Sequence, residues 1–77
     1  MNKNRRKRIE KVVSDLFVAQ QATEDILGEE QDAYDNLPDG LNESERAMAM
    51  EDAIAYLESA IESLGQAISD LNDACDT

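Results

Sequence analysis

The clearest pattern in this sequence is a row of apolar residues in its second half, spaced alternately by four and three positions. The row consists of Met50, Ile54, Leu57, Ile61, Leu64, Ile68, Leu71 and Cys75. This spacing keeps one side chain on the same helix face at every turn, as in the seam of a coiled coil. A second row, Ala53, Ala60, Ala67 and Ala74, runs beside the seam at intervals of seven residues. Because alanine lets a neighbouring helix approach closely, this row predicts an oligomer interface.

Another helix is predicted in the first half of the chain, where apolar residues also recur at helical spacing. These residues are Ile9, Val12, Val13, Leu16, Ala19, Ile26, Leu27, Ala33, Tyr34 and Leu37, and the polar residues Gln20, Thr23 and Glu30 interrupt their face. Proline disfavours a helical conformation in the residue before it, so Pro38 should end this helix. We expect helix one to span residues 9–36, preceded by a flexible basic leader at residues 1–8.

The two helical patterns are separated by a short turn at residues 37–42. Asn42 has a suitable side chain to cap helix two, and Glu45 three residues later would complete a capping box. Helix two is therefore expected over residues 43–74. Helices joined by a short connection are antiparallel neighbours, and here positions whose numbers sum to about 80 should face each other. The predicted fold is all-α, with residues 9–75 forming one antiparallel two-helix hairpin.

A hairpin of this size leaves apolar surface uncovered, because each helix shields only one side of the other. Phe17, Met48 and Tyr56 lie outside the seam, as does the alanine row. Small domains usually gain stability from a disulfide, a metal or a partner subunit. The lone Cys75 excludes an internal disulfide, and the absence of histidine excludes an ordinary zinc site. We therefore expect two hairpins to form a homodimeric four-helix bundle.

Charge is divided sharply along the chain. Residues 1–11 carry six bases against one acid, whereas residues 12–77 carry seventeen acids against Arg46 alone. The hairpin should bring the bases of residues 3–11 beside the acids Asp70, Asp73 and Asp76. An acidic body repels nucleic acid and anionic membranes and favours encounter with basic proteins. The candidate residues for binding such a protein are two acids and three apolar anchors: Glu58, Glu62, Phe17, Met48 and Tyr56.

Three chemical alternatives were weighed and are less well supported. The basic patch of Arg5, Arg6, Lys7 and Arg8 resembles a phosphate-binding run, but no aromatic residue lies among the first sixteen for base stacking. The turn before helix two resembles a calcium loop, but Arg46 would occupy the position of the bidentate glutamate. Carboxylate pairs such as Glu29 and Glu30 lack the histidines of a di-metal site and are typical of a solvated face. No catalytic, cofactor-binding or metal-binding residue is predicted, and we do not expect an enzyme.

Several segments of the chain carry a resemblance to a recurrent family. The segments are Glu30-Gln31, Tyr34-Asp35-Asn36-Leu37-Pro38, Ser44-Glu45-Arg46 and Met50-Glu51, followed by the Ala/Ile/Leu heptads. Over about residues 5–75 the chain resembles small acidic helical-hairpin proteins of phages and mobile elements of Gram-positive bacteria, which mostly have no assigned function. The resemblance implies an accessory protein in the bacterial cytoplasm. It also implies binding and inhibition of a host protein, but it assigns no site residue.

The sequence thus leaves three functions open. The first is a non-enzymatic protein that inhibits a host protein through its acidic surface. The second is a structural homo-oligomeric module with no further ligand. The third is a weak nucleic-acid adaptor that acts through the basic N-terminus. The sequence shows no signal peptide or membrane-spanning segment, which predicts a cytoplasmic protein with no membrane partner.

Overall fold

The computed structural model describes residues 1–41 and 44–77, and these form two long helices folded back on each other. Helix α1 spans Lys3–Asp35, a short 3-10 turn spans Asp39–Leu41, and helix α2 spans Glu45–Asp76. The described residues contain no strand. The prediction of an all-α, two-helix antiparallel hairpin is therefore confirmed.

Helix α1 begins at Lys3, six residues before the predicted start at residue 9. The reason is a cap at Asn2, whose side-chain oxygen accepts a hydrogen bond from the backbone N–H of Arg5 at 2.8 Å. The helix then runs without a break through Gly28 and ends at Asp35. Its end is capped by Asn36, which donates hydrogen bonds from its backbone and its side chain to the Asp32 carbonyl oxygen.

Helix α2 begins at Glu45 and is capped by Ser44. The hydroxyl oxygen of Ser44 accepts a hydrogen bond from the backbone N–H of Ala47 at 3.2 Å. Asn42, which the sequence predicted as the cap, and the predicted helix start at residue 43 lie outside the described residues. The helix continues to Asp76, slightly beyond its predicted end at residue 74.

The residues that form the seam between the helices are spaced alternately by four and three positions in both α1 and α2. In α1 every seam position is half-buried: Ile9, Val13, Leu16, Gln20, Thr23, Leu27, Glu30, Tyr34 and Leu37. In α2 the seam starts at Ala47, which is fully buried, and includes Ile54, which is only 9% exposed. Gln20 donates a hydrogen bond to the carbonyl oxygen of Ile61, and the Cys75 thiol donates one to the carbonyl oxygen of Arg6. Both contacts follow the predicted antiparallel alignment closely.

Three side chains with polar groups in the seam of α1 have hydrogen-bond partners that explain how they are tolerated there. Gln20 reaches the backbone of α2 at 3.2 Å, beside Gly65, where a Cβ atom would lie only 3.2 Å from the Gln20 amide nitrogen. Thr23 donates its hydroxyl hydrogen to the Ala19 carbonyl oxygen within α1 at 2.8 Å. Tyr34 donates its hydroxyl hydrogen to a carboxylate oxygen of Glu51 and so ties α1 to α2 near the turn.

This tyrosine gives a prediction that can be tested by alkaline titration. The hydrogen bond to Glu51 raises the pKa of Tyr34, and burial and the nearby carboxylates add to that rise. In a Tyr56→Phe variant, where Tyr34 is the remaining tyrosine, phenolate absorbance should appear at a higher pH in the folded than in the urea-unfolded protein. The stability from this bond should be fully present below the unfolded pKa and lost as the pH rises through the folded pKa. Equal midpoints in the two states would contradict the contact.

The hairpin is long and narrow and buries little of its own surface. Its Cα atoms extend over 59 × 14 × 12 Å, and the radius of gyration is 17.4 Å. A compact domain of this length would have a radius of gyration of about 11.5 Å. The accessible surface is 5734 Å², against about 4,700 Å² for a typical folded monomer of this mass. Both helices therefore keep apolar surface that the hairpin itself does not cover.

Candidate interaction surfaces

One long side of the hairpin is lined by apolar residues from both helices. In each helix, one row of residues comes directly before every second seam residue, for example before Val13 in α1 and before Ile54 in α2. When two helices pack antiparallel, these two rows lie on the same side of the pair. Here this combined row repeats every seven residues and is apolar at eight positions, with Arg5 preceding them in α1 and Arg46 preceding them in α2. We call it the apolar flank, and it consists of Val12, Ala19, Ile26 and Ala33 from α1 and Ala53, Ala60, Ala67 and Ala74 from α2.

The apolar flank is open to solvent along its length. Val12 is 44% exposed and Ile26 is 52% exposed, and Ala60 at the middle of α2 is also exposed. Ala53, Ala67 and Ala74 are half-buried. Each row of the flank covers 21 residue steps at 1.5 Å per residue, so the flank runs along about 32 Å of the 59 Å hairpin. It is therefore a ready surface for packing against other helices.

The contribution of α1 to this surface was missed by the sequence prediction. Val12, Ala19, Ile26 and Ala33 were assigned to the face that packs against α2, whereas all four are exposed. The signal was present, since these residues recur at the same interval of seven as the alanine row. It was hidden because Gln20, Thr23 and Glu30 occupy seam positions and make the true seam of α1 look more polar than its flank.

The opposite long side of the hairpin is acidic. Its row follows the seam rather than preceding it, and from Glu10 onward in α1 and Glu51 onward in α2 it contains four acids and no base, while Lys3 precedes it at the start of α1. We call it the acidic flank, and it consists of Glu10, Phe17, Glu24 and Gln31 from α1 and Glu51, Glu58, Gly65 and Asn72 from α2. The hairpin therefore has an apolar side and an acidic side that face in opposite directions.

The five residues predicted to bind a partner protein are exposed, but they do not share one surface. Phe17 and Glu58 lie on the acidic flank, and Glu62 and Met48 lie in the next row outward on that side. Tyr56 lies on the other side, beside the apolar flank, and is 78% exposed. Phe17 is 54% exposed and so offers a single aromatic anchor among acids. The structure therefore separates Tyr56 from the other four.

The open end of the hairpin, away from the turn, carries a groove with a basic rim. Met1, Arg5, Arg8, Ile9 and Val12 line this groove, which has a volume of about 350 Å³. Because Val12 belongs to the apolar flank, the groove continues directly into that flank. Arg5, Arg6, Lys7 and Arg8 are all exposed, and they lie on the first turns of α1.

The bases at the open end do not pair with the acids that the sequence predicted beside them. Among residues 1–41 and 44–77, one ion pair is formed. It lies within α1 and joins Lys11 Nζ to Asp15 Oδ1 at 2.6 Å. No ion pair links α1 to Asp70, Asp73 or Asp76 at the end of α2. Exposed pairs of long side chains gain little energy from holding one geometry, which explains why proximity alone forms none here. The positive charges are consequently available to another molecule.

The chemistry of other side chains adds no further site. Cys75 is half-buried in the seam, where its thiol contacts the Arg6 carbonyl oxygen at 3.6 Å, so it acts as a packing residue. In the part of the chain that the structure describes, no group of three or more metal-ligating side chains is arranged to hold an ion. In the same part, neither helix is long and apolar enough to cross a membrane.

The apolar and acidic flanks are features of the hairpin itself, and the resemblance to phage proteins stays a prediction. No family model, curated protein or solved structure matches this chain.

Proposed function

We propose that this chain is a non-enzymatic, phage-type accessory protein that binds and inhibits a basic host protein in the bacterial cytoplasm. In this proposal two hairpins pair through their apolar flanks into a four-helix bundle, and the acidic flanks stay outside. The observation that carries the proposal is the separation of the two flanks. Eight apolar residues line one side of the hairpin, and four acids line the other.

Pairing is supported by the surface that the hairpin leaves uncovered. The accessible surface exceeds that of a typical monomer of this mass by about 1,000 Å². Only Ala47 and Ile54 are buried apolar residues in the described part of the chain. Burying apolar surface stabilises a fold by about 25 cal/mol per Å², so covering this flank would add substantially to a small core.

Binding of a basic partner is supported by what pairing would leave exposed. Glu51, Glu58 and Glu62 lie on the side away from the apolar flank and have no basic neighbour within ion-pair distance among the described residues. A one-signed surface attracts an oppositely charged protein and orients it during encounter. Phe17 on the same side would supply an apolar contact near these acids.

This proposal predicts that charge reversal on the acidic side abolishes host binding. The variant Glu58→Lys/Glu62→Lys should retain wild-type helicity by circular dichroism but lose at least about tenfold in affinity, because two attractive contacts become repulsive. The host protein would first be captured with the wild-type chain from a bacterial lysate, then purified and titrated. The matched control is Asp25→Lys/Asp32→Lys, which changes the net charge equally on the outer row of α1.

Two results would contradict the proposal. Equal losses in the two variants would show that net charge, rather than the acidic flank, governs binding. Absence of any saturable binding partner for a stable dimer would favour the second candidate, a structural homo-oligomeric module. That candidate is favoured by one observation, the continuity of the apolar flank along both helices.

A further inference from the structure

We propose that a second copy of this chain covers the apolar flank in reversed orientation, with the open end of each hairpin against the turn end of the other. This inference deepens the proposed pairing and rests on it. It assigns the groove at the open end a specific occupant, namely the acidic turn region of the second copy. The area of this face allows a second copy to cover it, and the charges at its two ends select the orientation.

The area of the hairpin face that carries the flank fits a second copy of the same length. The hairpin is 59 Å long and 14 Å wide along its two larger dimensions, so the whole face, of which the flank is about half, has a footprint of roughly 800 Å². A stable protein–protein interface of standard size buries about 800 Å² on each partner. Two identical flanks, each with alanines that permit close approach, can therefore cover each other without any additional segment.

The apolar residues alone do not decide which way the second copy points. Their rows repeat every seven residues in both helices, so the spacing is the same when read from either end. Reversed docking and same-end docking both place neighbouring helices antiparallel across the interface. The choice between them must come from residues outside the apolar rows.

Charge favours reversed docking. The open end holds the exposed bases Lys3, Arg5, Arg6, Lys7 and Arg8, none of which is in an ion pair in the described part, together with the acids Asp70, Asp73 and Asp76 of α2. Around the turn end the described charges are mostly acidic: Glu29, Glu30, Asp32, Asp35, Asp39, Glu45, Glu51 and Asp52, against Arg46. Same-end docking would bring the two acidic turn ends together, whereas reversed docking places each acidic turn end against an open end that carries five exposed bases.

The groove at the open end matches this arrangement. Its floor is formed by Met1, Ile9 and Val12, and Arg5 and Arg8 complete its lining. In reversed docking, the end of the flank that carries Ala33 and Ala53 on the second copy approaches this groove, with Glu29 beside the flank and Arg46 in its row. The apolar residues of that end would meet Met1, Ile9 and Val12, and Glu29, one helical turn from Ala33, would meet the bases Arg5 and Arg8.

The test is a distance measurement between spin labels in the full-length protein. A label is placed at exposed Asp76 through Asp76→Cys in a Cys75→Ala background, with Cys75→Ser as a second background if the first lowers helicity. The matched control carries the label at Ser59→Cys, near the middle of α2. Reversed docking predicts about 45–50 Å between the Asp76 labels, since each lies about 24 Å from the midpoint of its helix.

The control and the alternative outcomes separate this inference from the proposed pairing. The Ser59 labels should lie within roughly 25 Å of each other in either docking, because they sit at the same level on packed helices. A short distance in both variants would overturn reversed docking and leave the dimer intact. A monomeric mass with no defined distance in either variant would overturn the pairing itself.

Discussion

Replacing Ala60 with glutamate is expected to prevent the proposed dimer from forming and to leave a folded monomer. Ala60 lies at the middle of the apolar flank, exposed in the single hairpin but covered in the proposed bundle. Each dimer would then bury two carboxylates with no basic partner, which costs several kcal/mol in total. The dissociation constant should rise by at least about a hundredfold, equivalent to about 2.8 kcal/mol. Sedimentation equilibrium across micromolar concentrations measures this change.

The adjacent residue supplies a matched control for this variant. Ser59 is exposed on the outer row of α2, away from both flanks, so Ser59→Glu adds the same charge one position earlier. Its dissociation constant should stay within a few-fold of that of the wild type. If Ala60→Glu and Ser59→Glu weaken the dimer equally, the effect comes from net charge and the apolar flank is not the interface.

Shortening Ile54 to alanine is expected to have the largest effect on the folding of the hairpin itself. Ile54 is 9% exposed. Together with Ala47, it makes up the buried apolar core of the described part of the chain. Isoleucine to alanine changes in a core cost about 2–5 kcal/mol. A core of this size rarely supplies more than about 3–5 kcal/mol, so a large fraction of the variant should be unfolded at 25 °C. Urea unfolding followed by circular dichroism measures the loss.

An exposed residue of similar type tests whether burial is the cause. Val18 lies on the outer row of α1 and is 65% exposed, so Val18→Ala removes apolar atoms that solvent already reaches. Its free energy of unfolding should differ from that of the wild type by less than about 0.5 kcal/mol. Comparable destabilisation by the two substitutions would show that the seam does not form the core of the hairpin.

The fold could be predicted from the sequence because apolar spacing and turn length determine it together. Alternating steps of four and three residues define the seam of α2, and the short connection makes α1 its antiparallel neighbour. The contact of Gln20 with Ile61 lies where that alignment expects it. Local capping was harder to predict, because Asn2 and Ser44 compete with other polar residues as helix caps. The extension of α1 to Lys3 depends on the cap at Asn2.

The candidate surfaces were only partly predictable from the sequence. The alanine row of α2 stood out because it runs beside a strongly apolar seam. Its counterpart in α1 did not, because the seam of α1 contains Gln20, Thr23 and Glu30 and its flank contains Val12 and Ile26. Hydrophobicity alone therefore assigned the wrong row to the hairpin interface. Which row is buried depends on where α2 packs, and that information is tertiary.

The most direct test of the account is the solution mass of the unmodified protein. Light scattering across micromolar concentrations, with helicity followed in parallel, measures it without any substitution. The account predicts a fully helical species of twice the 8.6 kDa chain mass. A fully helical species that stays at the mass of one chain throughout this range would show that no second copy covers the apolar flank, and would contradict the account.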